Sequence, residues 1–406
     1  MSFETLIAKR FLHKEAGSFS SSLVKIAVVT IALSVTVMII SMAILRGFQH
    51  EIQQKVVGFG SHVVVKSQYL GNQYVADPIS NRRDEVERIQ QIEGVQHLQF
   101  FAEKGGMLKT DDQIHGIIFK GIDKGFDTTF FAQNLTEGRL FSFNDSTASN
   151  EIIVSSTIAA KMGLSLGDKA RTYFWQGNNY RARAFKVVGI YNTDLSEFDE
   201  HYMVGDLRQV QKLNEWGDTL VAGYEILVDD FKNLDAICES ITAVLGFDLT
   251  AVSIVEQNPS LFAWLELLNN NIVFILLVMA IVCMVAVISA FLIMIFEKTS
   301  MIGVLKTLGA NNRSIKEIFL RKSLTIIGRG LLIGNILALL LCWLQRQFHI
   351  IKLDSESYSM NFVPIDLNIW YFVAISAGTL LCCLIALLVP TTFISKIDPA
   401  KSIRVE

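Results

Sequence analysis

Four apolar runs punctuate the chain. Ile26 to Leu45 and Asn271 to Phe296 contain no Asp, Glu, Lys or Arg, Leu324 to Leu344 contains only Arg329, and Leu367 to Ser395 is uncharged and broken late by Pro390. A helix rises about 1.5 Å per residue, so each run can cross a hydrocarbon layer of about 30 Å. The pattern predicts four transmembrane helices, over residues 23–46, 267–296, 324–344 and 367–395. Residues 47–266 separate the first two and suffice for a folded domain with its own core. Residues 345–366 form a short loop between the third and fourth.

Inside 47–266 the pattern shifts between periods. His62 to Val65 reads as a strand, Val86, Ile89 and Ile92 fall on one helical face ended by Gly94, and Gln96 to Phe101 reads as a strand again. The far end repeats this. Tyr224 to Val228 is strand-like, Leu234, Ile237, Ile241, Val244 and Leu245 line a helix ended by Gly246, and Leu249 to Val255 is strand-like. Two strand–helix–strand units therefore flank a central segment. That segment holds candidate strands at Gly116 to Lys120, Glu151 to Val154 and Ala184 to Tyr191, a short helix Ser156 to Met162, and a Gly163–Gly167 turn. The expected fold is an α-helical membrane protein with four transmembrane helices and a large α+β extracytoplasmic domain of two lobes, the second inserted between the halves of the first.

Charge orients the spans. Lys9, Arg10, Lys14 and Lys25 precede the first, six Lys and Arg from Lys298 to Lys322 lie between the second and third, and Lys396, Lys401 and Arg404 follow the fourth. The 345–366 loop has only Arg346 and Lys352, beside Asp354, Glu356 and Asp366. Positive charge favours the cytoplasmic side, so both termini and residues 297–323 are expected there, with 47–266 outside. Trp264, Trp343 and Trp370 then fall at the outer ends of their helices, as an aromatic belt places them. Ahead of the first span, Phe3, Leu6, Ile7, Phe11 and Leu12 line one face of a helix within 1–22, an amphipathic elbow at the membrane surface. The first span exceeds the roughly 7–15 residues of a signal-peptide core, and no Ala-x-Ala site follows it.

Composition agrees, with 51% hydrophobic and 18% charged residues. The net charge of −3 averages over compartments, and no basic cluster points to nucleic acid. Of the five cysteines only Cys238 lies in the outer domain, so no internal disulfide framework is expected there. No metal-ligand spacing occurs, and His201 after Asp199 and Glu200 reads as a solvated acidic loop. There is no Gly-Lys dipeptide and hence no Walker A loop, no Gly-x-Ser-x-Gly elbow and no His-Glu-x-x-His helix, so no catalytic residue and no nucleotide site of its own are expected. Gly330 and Gly334 form a small-xxx-small face for helix packing. Arg329 stands near the cytoplasmic end of its span, where its stem can carry the guanidinium to the headgroups or to an acidic group of a partner.

The most telling stretch follows the second span: Glu297-Lys-Thr-Ser-Met-Ile-Gly-Val-Leu-Lys-Thr-Leu-Gly-Ala310. Met301, Ile302, Leu305 and Leu308 take the spacing of one helical face, with Lys306 off it and Gly309 placed to stop the helix. Such a helix can lie on the bilayer or dock in a groove of a cytoplasmic partner. The string closely resembles the coupling segment of the LolC/LolE, MacB and FtsX permeases. Pro259-Ser-Leu-Phe-Ala-Trp264 and the ending Ile397-Asp-Pro-Ala-Lys-Ser-Ile-Arg404 resemble the LolC/LolE branch, and the order of spans and outer domain matches the whole group. The resemblance implies a MacB-like periplasmic core in the outer domain and a permease of an ABC transporter in the bacterial inner membrane, with both termini cytoplasmic. It implies a separate ATPase dimer that uses ATP and Mg, a second permease copy (identical or a paralogue), a lipoprotein substrate and a periplasmic carrier. This chain itself binds no cofactor in that scheme. Glu297, Lys298, Ile302, Gly303, Leu305, Lys306, Leu308 and Gly309 would meet the ATPase, while Met42, Leu45, Phe48, Phe262 and Leu265 would line an acyl-chain cavity. A split MacB-like exporter permease and an FtsX-like regulator of an envelope hydrolase are the alternatives.

Overall fold

The computed structural model describes residues 19–69, 77–111, 113–176, 179–354 and 360–396. The expected elbow face of Phe3, Leu6, Ile7, Phe11 and Leu12 lies outside them, as does the ending from Ile397 to Arg404. In chain order, helix α1 (Phe19–Gly60) leads to strand β1 (Val63–Ser67), the two-residue β2 (Ile79–Ser80), helix α2 (Asp84–Gln90), and strands β3 (Val95–Lys109), β4 (Ile114–Ile122) and β5 (Leu135–Gly138). Next come β6 (Glu151–Ser155), α3 (Ser156–Met162), the hairpin of β7 (Lys169–Gln176) and β8 (Asn179–Tyr191), β9 (Tyr202–Asp206) and α4 (Leu207–Asn214). After β10 (Leu220–Val221), β11 (Gly223–Val228), α5 (Leu234–Val244) and β12 (Leu249–Ser253), the one-turn helix Ile254–Gln257 leads into four longer helices. These are α6 (Pro259–Glu297), α7 (Thr299–Thr307), α8 (Asn312–Phe348) and α9 (Ile369–Lys396).

The chain divides into two compact units. One contains Met1–Gln49, Trp264–Ile351 and Val363–Glu406. Its helices α1, α6, α8 and α9 are long and apolar enough to cross a membrane, with peak mean hydropathies of 2.6, 3.2, 2.0 and 2.7. Their contacts follow helical spacing. Ile31, Val35, Met38 and Ile39 of α1 meet Cys283, Val287, Phe291 and Met294 of α6 in one buried cluster, joined by Phe319 and Ile327 of α8 and Leu387 of α9. The helices extend beyond the apolar runs. α1 continues past residue 46 as far as Gly60, and α8 begins at Asn312, so residues 312–323 belong to the helix of the third span rather than to a separate segment.

The other unit contains His50–Ala263 and Lys352–Phe362 and is built on a ten-stranded sheet. The strand order is β12-β1-β11-β3-β4-β9-β6-β8-β5, with β7 pairing β3 and β8. Most pairs are antiparallel; β4·β9 and β6·β8 are parallel. The two flanking strand–helix–strand units interleave, so β1 lies between β12 and β11, and α2 touches α5. One ladder then runs through β3 into the central strands. β3 is 15 residues long, more than twice the expected Gln96 to Phe101. Glu103, Lys104 and the Gly105-Gly106 pair interrupt its apolar alternation, yet Gly106 is needed there: a Cβ would lie 2.7 Å from the Phe174 ring. α3 keeps its expected bounds, because Ser155 Oγ accepts from the Ile158 N–H at 3.0 Å and Gly163 closes it at φ 62°. Phe119 packs on Phe174 and Phe185 with ring centroids 6.1 and 4.9 Å away. A second cluster gathers around Phe59, Phe131 and Tyr191.

Candidate functional site

α7 is the element on which the sequence places most weight. It starts where Lys298 leaves helical geometry, and Thr299 Oγ1 donates back to the Phe296 carbonyl at 2.7 Å. It ends in a Schellman arrangement: the Ala310 N–H donates to Leu305 O at 2.9 Å, the Gly309 N–H to Lys306 O at 3.1 Å, and Gly309 takes φ 91°. Gly309 thus stops the helix as its position predicts.

The apolar residues of α7 divide between two surroundings. Ile302 is 0% exposed, Gly303 is buried beside it, and Met301, Leu305 and Ala310 pack on the membrane-helix core. Leu308 is 78% exposed, as Val304 and Phe296 are in smaller measure. Both Ile302 and Gly303 are expected at a partner surface; in the chain itself Ile302 packs in the apolar cluster of the bundle and Gly303 is buried. Period alone cannot say which side of an amphipathic helix meets the rest of its own chain. Glu297 and Gly309 are exposed, and Lys298 and Lys306 half-buried.

α8 is seated on α1 through two of its glycines, Gly330 and Gly334. A Cβ at Gly330 would lie 2.7 Å from Ile31 Cγ2, and one at Gly334 would lie 2.7 Å from the Ala32 carbonyl oxygen. Thr36 Oγ1 donates to Gly334 O at 3.1 Å and to Ala32 O at 2.8 Å, crossing the same contact. Arg329 is exposed.

The residues expected around acyl chains differ in their surroundings within their own units. Leu45, Phe48 and Leu265 are buried, Met42 is half-buried, and Phe48 meets Trp264 edge-on at 6.3 Å. Phe262 stacks on Phe231 at 6.1 Å, within the outer domain. The stretch of α1 around Gly47 is clasped by its own unit, since a Cβ at Gly47 would lie 2.5 Å from Pro364 O and the Asp366 N–H donates to Ala43 O at 3.1 Å.

Three features escaped the sequence reading. Asp199 is buried rather than solvated, accepting from the Thr193 N–H at 2.9 Å and Thr193 Oγ1 at 2.8 Å, while His201 stacks on His115 at 6.0 Å. Lys120 is buried against the end of α1. Its signal was present in the strand Ile118-Phe-Lys-Gly-Ile122, where a lysine shares a face with two isoleucines. The β7–β8 hairpin carries Trp175 and Tyr180 near its tip, 48% and 56% exposed, with ring centroids 4.8 Å apart. Among the described residues, no group of three or more His, Cys, Asp or Glu is placed to hold a metal ion.

Two family models match. Residues 26–244 match the MacB-like periplasmic core domain and residues 273–399 the FtsX-like permease C-terminal region. The lipoprotein-releasing system transmembrane protein LolC of Neisseria meningitidis serogroup B is 23% identical over 424 residues, covering 100% of both chains. The corresponding LolE of Haemophilus influenzae is 24% identical over 412 residues, covering 96% of this chain and 95% of that protein. The solved periplasmic region of MacB from Actinobacillus actinomycetemcomitans aligns with 51% of this chain and 95% of its own at 13% identity, with a TM-score of 0.36.

Proposed function

This chain belongs to the family of the MacB-like periplasmic core domain, as a permease of the LolC/LolE type, and on that premise we propose that it couples a separate ATPase to lipoprotein release. The observation that carries the reading is the end-to-end likeness to LolC and LolE, across both the outer domain and the FtsX-like region. The chain lies in a bacterial inner membrane with both termini cytoplasmic and the outer domain periplasmic. That domain acts as two lobes on a shared sheet. The permease works with an ATPase dimer, which consumes ATP and Mg, and with a second permease copy.

The ATPase meets α7 on its outward side, at Glu297, Leu308 and Gly309 with Lys298 and Lys306, while Ile302, Gly303 and Leu305 carry the push into the bundle. Closure of the ATPase moves α7 and tilts the spans. Met42, Leu45, Phe48, Phe262 and Leu265 would open toward the lipoprotein's acyl chains as α1 and α6 move. Burial of acyl chains is worth about 0.8 kcal/mol per CH₂, so three long chains amount to tens of kcal/mol and cannot pass through water. They must move between apolar surfaces to a soluble carrier, for which the exposed Trp175–Tyr180 pair offers an aromatic anchor.

Purification from the native membrane in mild detergent tests the reading. An ABC-type ATPase is expected to accompany the chain, and the reconstituted complex is expected to release an acylated protein to a soluble carrier only when ATP is hydrolysed. Isolation without any ATPase, or release independent of ATP, overturns it.

A further inference from the structure

The C-terminal end of α1 is seated on buried charge. Lys120 of β4 is 1% exposed and donates through Nζ to the Phe59 carbonyl at 2.7 Å, one residue before α1 ends. The same Nζ pairs with Glu225 Oε1 of β11 at 2.5 Å and lies 5.2, 5.5 and 5.4 Å from the ring centroids of Phe59, Phe101 and Phe126. Between these strands, Gln99 of β3 stands in register with Glu225 and donates to its Oε2 at 2.9 Å. Glu103 of β3 stands in register with Lys120, and loss of hydration raises its pKa, but the carboxylate within ion-pair distance of Nζ is that of Glu225. Lys120 thus ties the helix end to three adjacent strands.

Stability alone gives little reason for this arrangement. The Phe59 ring is already enclosed by Phe131, Phe198 and Tyr202, at 5.6, 4.6 and 4.8 Å. A buried ion pair of this kind often adds nothing over well-packed apolar groups, because both charges lose hydration. What it adds is register. Aromatic rings tolerate a small slip, whereas the ammonium is held by a carbonyl at the negative end of the helix dipole and by a carboxylate on a fixed strand. Moving α1 relative to β4 strands a buried charge.

We propose that Lys120 is a positioning residue for transmission: it locks the end of α1 to β4 and β11, so that displacement of α1 carries the sheet with it. This rests on the reading of the chain as an ATPase-driven permease. The test compares the wild-type chain with Lys120→Met and with the double variant Lys120→Met/Glu225→Leu, which removes both charges and so avoids an unpaired one. Spin labels at Gln54→Cys and Ala184→Cys report the distance between α1 and the sheet in the full-length detergent-solubilised chain. The double variant is expected to unfold at a temperature close to wild type, to show a broadened or displaced distance distribution, and to lose about tenfold in protein released per ATP hydrolysed. A merely structural lysine predicts restored release once stability is restored. A narrow wild-type-like distribution, or wild-type release per ATP in the double variant, overturns the proposal. If the wild-type complex itself shows no ATP-dependent release, the functional reading fails, and the distance distribution still decides whether Lys120 is the lock.

Discussion

Asp199 is 2% exposed, and burial pushes its carboxyl up to about 6 despite the two bonds from Thr193. Its folded state therefore holds the proton more tightly than the unfolded chain, whose aspartate titrates near 3.8. The resulting stabilisation is fully present below that value and is lost as pH rises through about 6, a change of about 3 kcal/mol. Asp199→Asn abolishes this titration. The stability of wild type relative to the variant, from thermal unfolding of the full chain, is expected to fall by about 2 kcal/mol between pH 4 and 7. His62 runs the other way. Burial lowers it to about 4, its Nδ1 accepts from the Val228 N–H at 3.1 Å, and its contribution is lost as pH falls from 6.5. Since His62 is present in both proteins, its effect cancels in the difference. Neither residue announced itself in the sequence. Asp199 stands in an acidic, polar string, and its burial comes from a fold that closes over it.

Among the elements, α7 and α8 differ in what their sequences disclose. Gly309 marks the end of α7 through backbone conformation, a local property, and was legible. The orientation of Ile302 depends on helices distant in sequence, and was not. A substitution pair separates the two sides of α7: Leu308→Asp is expected to leave the thermal midpoint near wild type while weakening ATPase retention about tenfold on co-purification. Ile302→Asp should lower the midpoint itself, because it buries an unpaired charge. For α8, the spacing of Gly330 and Gly334 was readable, and the structure supplies the opposing surface on α1. Gly334→Leu forces side-chain atoms toward the Ala32 carbonyl, and is expected to destabilise the bundle by about 1–3 kcal/mol, read as a lower unfolding temperature in detergent.

Across the whole molecule, legibility follows the range of the interactions. The four apolar runs were plain because crossing a membrane requires uninterrupted hydrophobicity, which one dimension records. The flanking strand–helix–strand units were also readable, each being a local alternation of periods. The joining of β3 to β4, β7 and β11 was not, because its partners come from distant stretches and its Gly105-Gly106 pair looks like an end. The Lys120–Glu225 pair spans 105 positions and was hidden for the same reason. The ladder has one more consequence. β1 and β12, the first and last strands of the large sheet, are hydrogen-bonded neighbours, with Val63 opposite Ser253 and Ser67 opposite Leu249. An insertion whose two ends emerge side by side is portable. A graft bounded at His50 and Ala263 keeps the Phe59–Lys120 contact inside the moved unit, so related chains can exchange that unit whole while the apolar helices on either flank stay as they were.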